Sequence, residues 1–178
     1  PGTPEFDIFI NEVQKEMTVK AGQKCTAVRR VIVPEKLIED VQIALGQRLS
    51  KTTIGDPSVE GVRMGSLAGK SQKTEVLENI NKLAKSQEIV FGNEESFEVV
   101  GANKDKGAFV PPFLFLNSYP FKNLDCHDIE VFGPVATIMP YKDVNEAIKL
   151  ARLGKGSLVC SLVTNDMKLA EQFVLGAS

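Results

Sequence analysis

The stretch Gly22-Gln23-Lys24-Cys25-Thr26-Ala27-Val28-Arg29-Arg30-Val31-Ile32-Val33-Pro34-Glu35 decides the fold class. A tight polar loop carrying a thiol runs straight into Val28 to Val33, a β-branched, apolar run that reads as a strand. Pro34 and Glu35 then suit the first turn of a helix with Leu37, Ile38, Val41, Leu45 and Leu49 along one face. A second stretch, Glu130-Val131-Phe132-Gly133-Pro134-Val135, repeats the arrangement. Here a carboxylate, an aromatic ring and a Gly-Pro turn stand ahead of a strand from Pro134 to Pro140. Loops at strand mouths are where open α/β sheets hold ligands.

Outward from these two stretches the periods keep alternating. Phe6, Phe9, Ile10, Val13 and Met17 recur at helical spacing, and Gly22 ends that helix. Gly55-Asp56-Pro57 marks a loop, and Leu77, Ile80 and Leu83 form the stripe of a helix over about 71–86. Glu88 to Phe91 reads as a short strand, and 92–107, rich in Gly, Asn, Lys and Glu, as a solvated loop or irregular hairpin. Phe109 to Leu116 carries Pro111 and Pro112, which predict an edge or irregular strand. Asp143 caps a helix through Leu153, and Asp166 to Leu175 closes with another. Ser157 to Val163 is nearly continuously apolar, which predicts a strand buried on both faces. The expected fold is α/β, an open, mostly parallel sheet flanked by helices.

With 178 residues the chain suits one domain or a large piece of a bigger protein, and roughly 70% of its unfolded surface can be buried. A hydrophobic share of 43% and a charged share of 25% fit a folded globular chain rather than a disordered one. The net charge of −2 gives no basic surface for nucleic acid or anionic membrane. No apolar run approaches the ~20 residues that span a bilayer. Three cysteines, odd and sparse, fit a reducing compartment, so the cytoplasm is the expected location. The chain lacks an initiating Met and stops just after a helical pattern, the expected marks of a piece of a longer protein.

Cys25 is the candidate nucleophile. Most cysteines are small buried hydrophobes, but this one lies in a Gly-Gln-Lys loop, with Lys24, Arg29 and Arg30 close enough in sequence to favour a thiolate. Gly22 lets backbone N–H groups approach a bound carbonyl oxygen. Cys126 and Cys160 fit the bland reading better, and with His127 they offer no zinc spacing, so no metal is expected. His127, the only histidine, can in principle pair with Cys25, although a lone loop histidine is more often a solvated bystander. Glu130 is either a surface carboxylate or an acceptor for the two hydroxyls of a sugar diol. Phe132 is either core or a ring face for a planar ligand.

Read in order, the motifs resemble the catalytic half of an aldehyde dehydrogenase. Gly22-Gln23-Lys24-Cys25 with Arg30 resembles the family's Gly-Gln-x-Cys loop. Lys106-Gly107-Ala108-Phe109-Val110-Pro111-Pro112 resembles its Gly-x-Phe-x-x-Pro segment, and Glu130 to Pro134 its Glu-x-Phe-Gly-Pro motif. Asp143 to Ala147 and Leu158 to Asp166 continue in the family's order, so the resemblance covers nearly the whole chain. Glu16 to Arg30 looks most like the branch found in bifunctional phenylacetate-degradation ring-opening proteins, where the Asn usual two residues before the motif Gly is replaced; here it is Lys20.

The resemblance implies that residues 1–178 are a single catalytic domain, without the cofactor-binding domain and C-terminal tail. It implies Cys25 as nucleophile, its own N–H as an oxyanion donor, and Glu130 and Phe132 as cofactor-binding residues for NADP or NAD. The implied substrate is a small-molecule aldehyde, CoA-linked in that branch, and the implied assembly a homo-oligomer at full length. The family's general-base Glu and oxyanion Asn would lie upstream, so the chain alone is expected to be inactive. A CoA-acylating enzyme, an acyl-phosphate reductase and a non-catalytic scaffold or oligomerisation domain are the alternatives.

Overall fold

Thr3 begins the first helix by accepting the Phe6 N–H on its Oγ1 at 3.3 Å, and Pro4 occupies the position where a missing N–H costs nothing. The computed structural model describes residues 1–177 and shows six α-helices and four strands among them. In chain order these are α1 (Pro4–Thr18), β1 (Arg30–Pro34), α2 (Ile38–Leu49), α3 (Lys70–Leu83), β2 (Glu88–Phe91), β3 (Phe113–Leu116), α4 (Asp125–Asp128), β4 (Val135–Tyr141), α5 (Val144–Arg152) and α6 (Met167–Ala177). The sheet runs β1-β4-β3-β2. Strands β1, β4 and β3 are parallel, and β2 joins antiparallel at the edge, so the expected open, mostly parallel α/β sheet is present.

Strand period sorts the core. Leu114, Ala136, Ile138, Val31 and Val33 face the side covered by α1 and α2, where they meet Ile10, Val13, Met17, Val41, Leu45 and Leu49. The alternate residues Phe113, Phe115 and Val135 face the other side, against Val76, Ile80 and Leu83 of α3 and the buried run Ala108 to Val110. On that same face Met139 packs with Leu150 of α5 and Cys126 of α4.

Three expectations need correction. Phe113–Leu116 is an interior strand, not an edge, because Pro111 and Pro112 end before the ladder begins and so remove no donor from it. Cys160 is exposed rather than a buried hydrophobe. Most plainly, Ser157 to Val163 forms no strand: Leu158 is 69% exposed and Val159 54%. Its composition suits a strand, but a strand exists only against a ladder partner. An open cavity of about 1540 Å³ separates the segment from the free edge of β1. The segment 92–107 is irregular as expected, tied in by Val100, which bridges Gly55. No helix among the described residues is long and apolar enough to cross a membrane.

Candidate active site

The Cys25 loop is shaped by its backbone. Helix α1 ends in a single 3₁₀ turn, Val19–Gly22, in which Lys20, Ala21 and Gly22 all take left-handed φ of 54°, 51° and 71°. Two non-glycine residues in that region are costly and persist only where the surroundings over-determine them. The surroundings are the second motif: a Cβ on Gly22 would drive into the carbonyl of Gly133, so the two loops touch backbone to backbone. The turn continues with Gln23 N–H donating to Lys20 O at 3.0 Å and Ala27 N–H to Lys24 O at 3.0 Å. Gln23 Oε1 accepts the Ala68 N–H at 2.8 Å, which fixes the loop to the segment ahead of α3.

Cys25 emerges from this frame exposed, its thiol and its N–H both without a partner among the described residues. Lys24 does not lean on it. Its Nζ donates to both oxygens of Glu16 on α1, each at 2.8 Å. Nor do the arginines. Arg29 reaches the carbonyls of His127 and Gly154 and the Ser157 hydroxyl. Arg30 reaches Leu150 O at 2.6 Å, Ala151 O at 3.1 Å and His127 Nδ1 at 3.2 Å. The expected cationic activation of the thiol is therefore spent on holding the scaffold.

Opposite lies the Glu130 loop. Val131 points into the core at 6% exposed, and its neighbours Glu130 and Phe132 point out. Phe132 takes φ 52° and stands 45% exposed, so the ring is presented rather than packed away. Asn79 donates to the Glu130 carbonyl at 3.3 Å, while the Glu130 carboxylate has no hydrogen-bond or ion-pair partner among the described residues. Glu130 and Phe132 share a small crevice with Lys24, Ala27 and Val28, and Glu130 also lines the larger cavity with Cys25. An unpaired acceptor beside an exposed ring fits a sugar diol joined to a planar heterocycle.

His127 departs from its expected solvated state. It is 2% exposed on α4, with Nε2 on Pro120 O at 2.9 Å and Nδ1 on Arg30. Both ring nitrogens are engaged, so it does not pair with Cys25. Burial foremost, and the nearby arginines, push its pKa below the usual histidine range against the upward pull of the Pro120 bond. Cys126 is buried, takes the Asn117 amide N–H at 3.2 Å and has its pKa raised by burial. The four-residue helix bearing both gave no period for sequence reading to find.

The family model for the aldehyde dehydrogenase family matches residues 4–176. The chain belongs to the aldehyde dehydrogenase family. It is 43% identical over 176 residues to a 3,4-dehydroadipyl-CoA semialdehyde dehydrogenase of Aromatoleum evansii, covering 99% of this chain and 34% of that protein. Against Protein MaoC of Klebsiella aerogenes it is 44% identical over 116 residues, 65% of this chain and 33% of that one. An aldehyde dehydrogenase structure from Bacillus cereus superposes with a TM-score of 0.80 at 27% identity, over 94% of this chain and 33% of that chain. A betaine aldehyde dehydrogenase from Staphylococcus aureus, at 20% identity and TM-score 0.82 over 96% of this chain and 34% of its own, shares the fold. The chain spans about one third of the length of these relatives.

Proposed function

We propose that this chain is the catalytic domain, in one piece over residues 1–178, of an NAD(P)-dependent aldehyde dehydrogenase in which Cys25 is the nucleophile. The observation that carries the reading is an exposed thiol with a free N–H, on a backbone-locked loop, facing a loop that presents an unpaired carboxylate and a ring. The Cys25 sulfur adds to the aldehyde carbon, and the carbonyl oxygen becomes an oxyanion for which the unpartnered Cys25 N–H would be a donor. A nicotinamide cofactor would supply the acceptor for the hydride that leaves this carbon. The carbon left behind is a thioester on Cys25. Water adds to it, the C–S bond breaks, and the products are the carboxylic acid and the free thiol. Glu130 would accept hydrogen bonds from the ribose hydroxyls, and Phe132 would flank the ring.

A CoA-linked semialdehyde is the favoured substrate class, supported by the relative from Aromatoleum evansii named for such a substrate. The water-activating base, a second oxyanion donor and the rest of the cofactor site would come from sequence outside this chain, so the isolated chain is expected not to turn over. The full-length protein is expected to work as a homo-oligomer in the cytoplasm. The test is aldehyde-dependent reduction of NAD and NADP by the full-length protein, over a panel including CoA-linked semialdehydes, with Cys25→Ala as control. Turnover that survives the substitution, or is absent from the whole panel, overturns the reading.

A further inference from the structure

Besides the β1–β4 ladder, which starts where the Thr137 N–H donates to Arg29 O at 2.9 Å, two anchors hold the Cys25 loop against the Glu130 loop. One is the contact of Gly22 with Gly133. The other is built where the loop enters β1: Arg29, just ahead of the strand, donates from Nη1 to His127 O at 3.3 Å, and Arg30, its first residue, points Nη1 at His127 Nδ1 at 3.2 Å. Cys25 lies between the anchors on one chain segment, Glu130 and Phe132 on the other. The Arg29 half of the second anchor ends on a backbone carbonyl, whereas the Arg30 half depends on the state of one ring. Pro120 O can only accept, so His127 Nε2 carries the proton and donates to it. Arg30 can only donate, so Nδ1 must offer a lone pair. Both bonds exist together only in the neutral Nε2–H imidazole.

We propose that His127 is a positioning residue: in its neutral form it fixes Arg30, and through Arg30 the spacing of the Cys25 and Glu130 loops, and its protonation releases that spacing. A proton on Nδ1 sets a donor against a donor and a cation against Arg30 and Arg29. The one carboxylate facing the ring, Asp128 on its own helix, is engaged by Lys155 and offers little relief. The thiols of Cys126 and Cys160 are the remaining titratable groups near Arg30, and burial raises the pKa of both and so keeps them neutral. The carbonyls of Leu150 and Ala151 at the end of α5 take two more of the guanidinium N–H groups, and no carboxylate among the described residues pairs with Arg30.

The consequence for activity rests on the function proposed above; the clamp itself does not. The chain has a single histidine, so its ring ¹⁵N signals are assigned without ambiguity. The expected spectrum is the Nε2–H tautomer, titrating below the free value of about 6.5. An Nδ1–H tautomer, or titration at or above that value, overturns the clamp. In the full-length protein, His127→Phe removes both bonds and is expected to lower kcat/KM about 10-fold at pH 8. His127→Gln restores a donor for Pro120 and an acceptor for Arg30 without a titrating group, and is expected to recover most of that loss. The ratio of wild-type to His127→Gln kcat/KM should then fall as pH drops through the His127 titration, since other groups cancel. A flat ratio, or no recovery by Gln, overturns the positioning role while turnover itself persists. Turnover absent from every protein at every pH overturns the dehydrogenase reading, and the ring spectrum still decides the clamp.

Discussion

Val135 to Met139 and Ser157 to Val163 are nearly matched in composition and opposite in fate. The first lies in β4 with ladders on both sides, and every one of its residues is buried. The second is exposed over most of its length and has no ladder partner among the described residues. What separates them is not propensity but neighbours. β4 sits between β3 and β1, whereas the next place in the sheet, along the free edge of β1, is a cavity. An apolar run states that burial would be favourable; the topology decides whether there is a surface to be buried against.

Amide exchange gives the largest expected contrast. The amides of Ile138 and Met139 should exchange only through global opening, at least about 10³-fold more slowly than those of Val159 and Leu162. Equal protection would mean that the second run has paired with β1, and the comparison would collapse. Substitution gives the next contrast. Ile138 is fully buried, so Ile138→Ala should cost about 3 kcal/mol in denaturant unfolding, while Leu158→Ala should stay within about 0.5 kcal/mol. A cost at Leu158 approaching that at Ile138 would again place the run in a core.

The same distinction explains what could be read from the sequence. Periods and turn signals marked α1, α2, α3, α5 and α6; Asp143 Oδ1 accepts from Asn145 and Glu146 as the expected cap, and Asp166, read as the start of the last helix, caps it by accepting from Lys168 and Leu169. The two motif loops were legible because each ran into a strand. Their direct contact was not, since a glycine meeting a glycine carbonyl leaves no periodic trace. Arg29 and Arg30 were legible as charges near Cys25, yet their partners lie about a hundred residues away along the chain. His127 looked like a polar loop residue because one turn of helix carries no hydrophobic period, and its burial is decided by Pro120 and Arg30 on other segments.

Gly22→Ala should break the contact between the motif loops. The new Cβ would meet Gly133 backbone, and alanine would have to hold a positive φ, so about 2 kcal/mol of stability should be lost. Gly156 has open space around it, so Gly156→Ala is the matching control in the unpaired region and should be nearly neutral. The thiols extend the contrast. Cys126, buried with its pKa raised by that burial, should alkylate about 100-fold more slowly than Cys25. Cys160, on an exposed residue but with burial of its thiol raising its pKa, should fall between the two; protection as strong as that of Cys126 would report docking of its segment.

Lys24 is expected to give the smallest effect, and it separates two accounts of the Cys25 loop. If proximity in sequence made Lys24 an activator of the thiol, Lys24→Met would slow alkylation of Cys25 by an order of magnitude or more. The side chain instead turns to Glu16, where its ammonium meets both carboxylate oxygens at 2.8 Å with the pair still partly in water. Such a pair contributes about 1 kcal/mol or less. Lys24→Met and Glu16→Gln should therefore each lower stability by no more than that, and the double variant by hardly more than either alone. Alkylation of Cys25 should change less than about 3-fold, because the loop is set by its left-handed turn and by Gly133 rather than by the charge beside it. A large rate loss in Lys24→Met that Glu16→Gln does not share would return the lysine to the thiol.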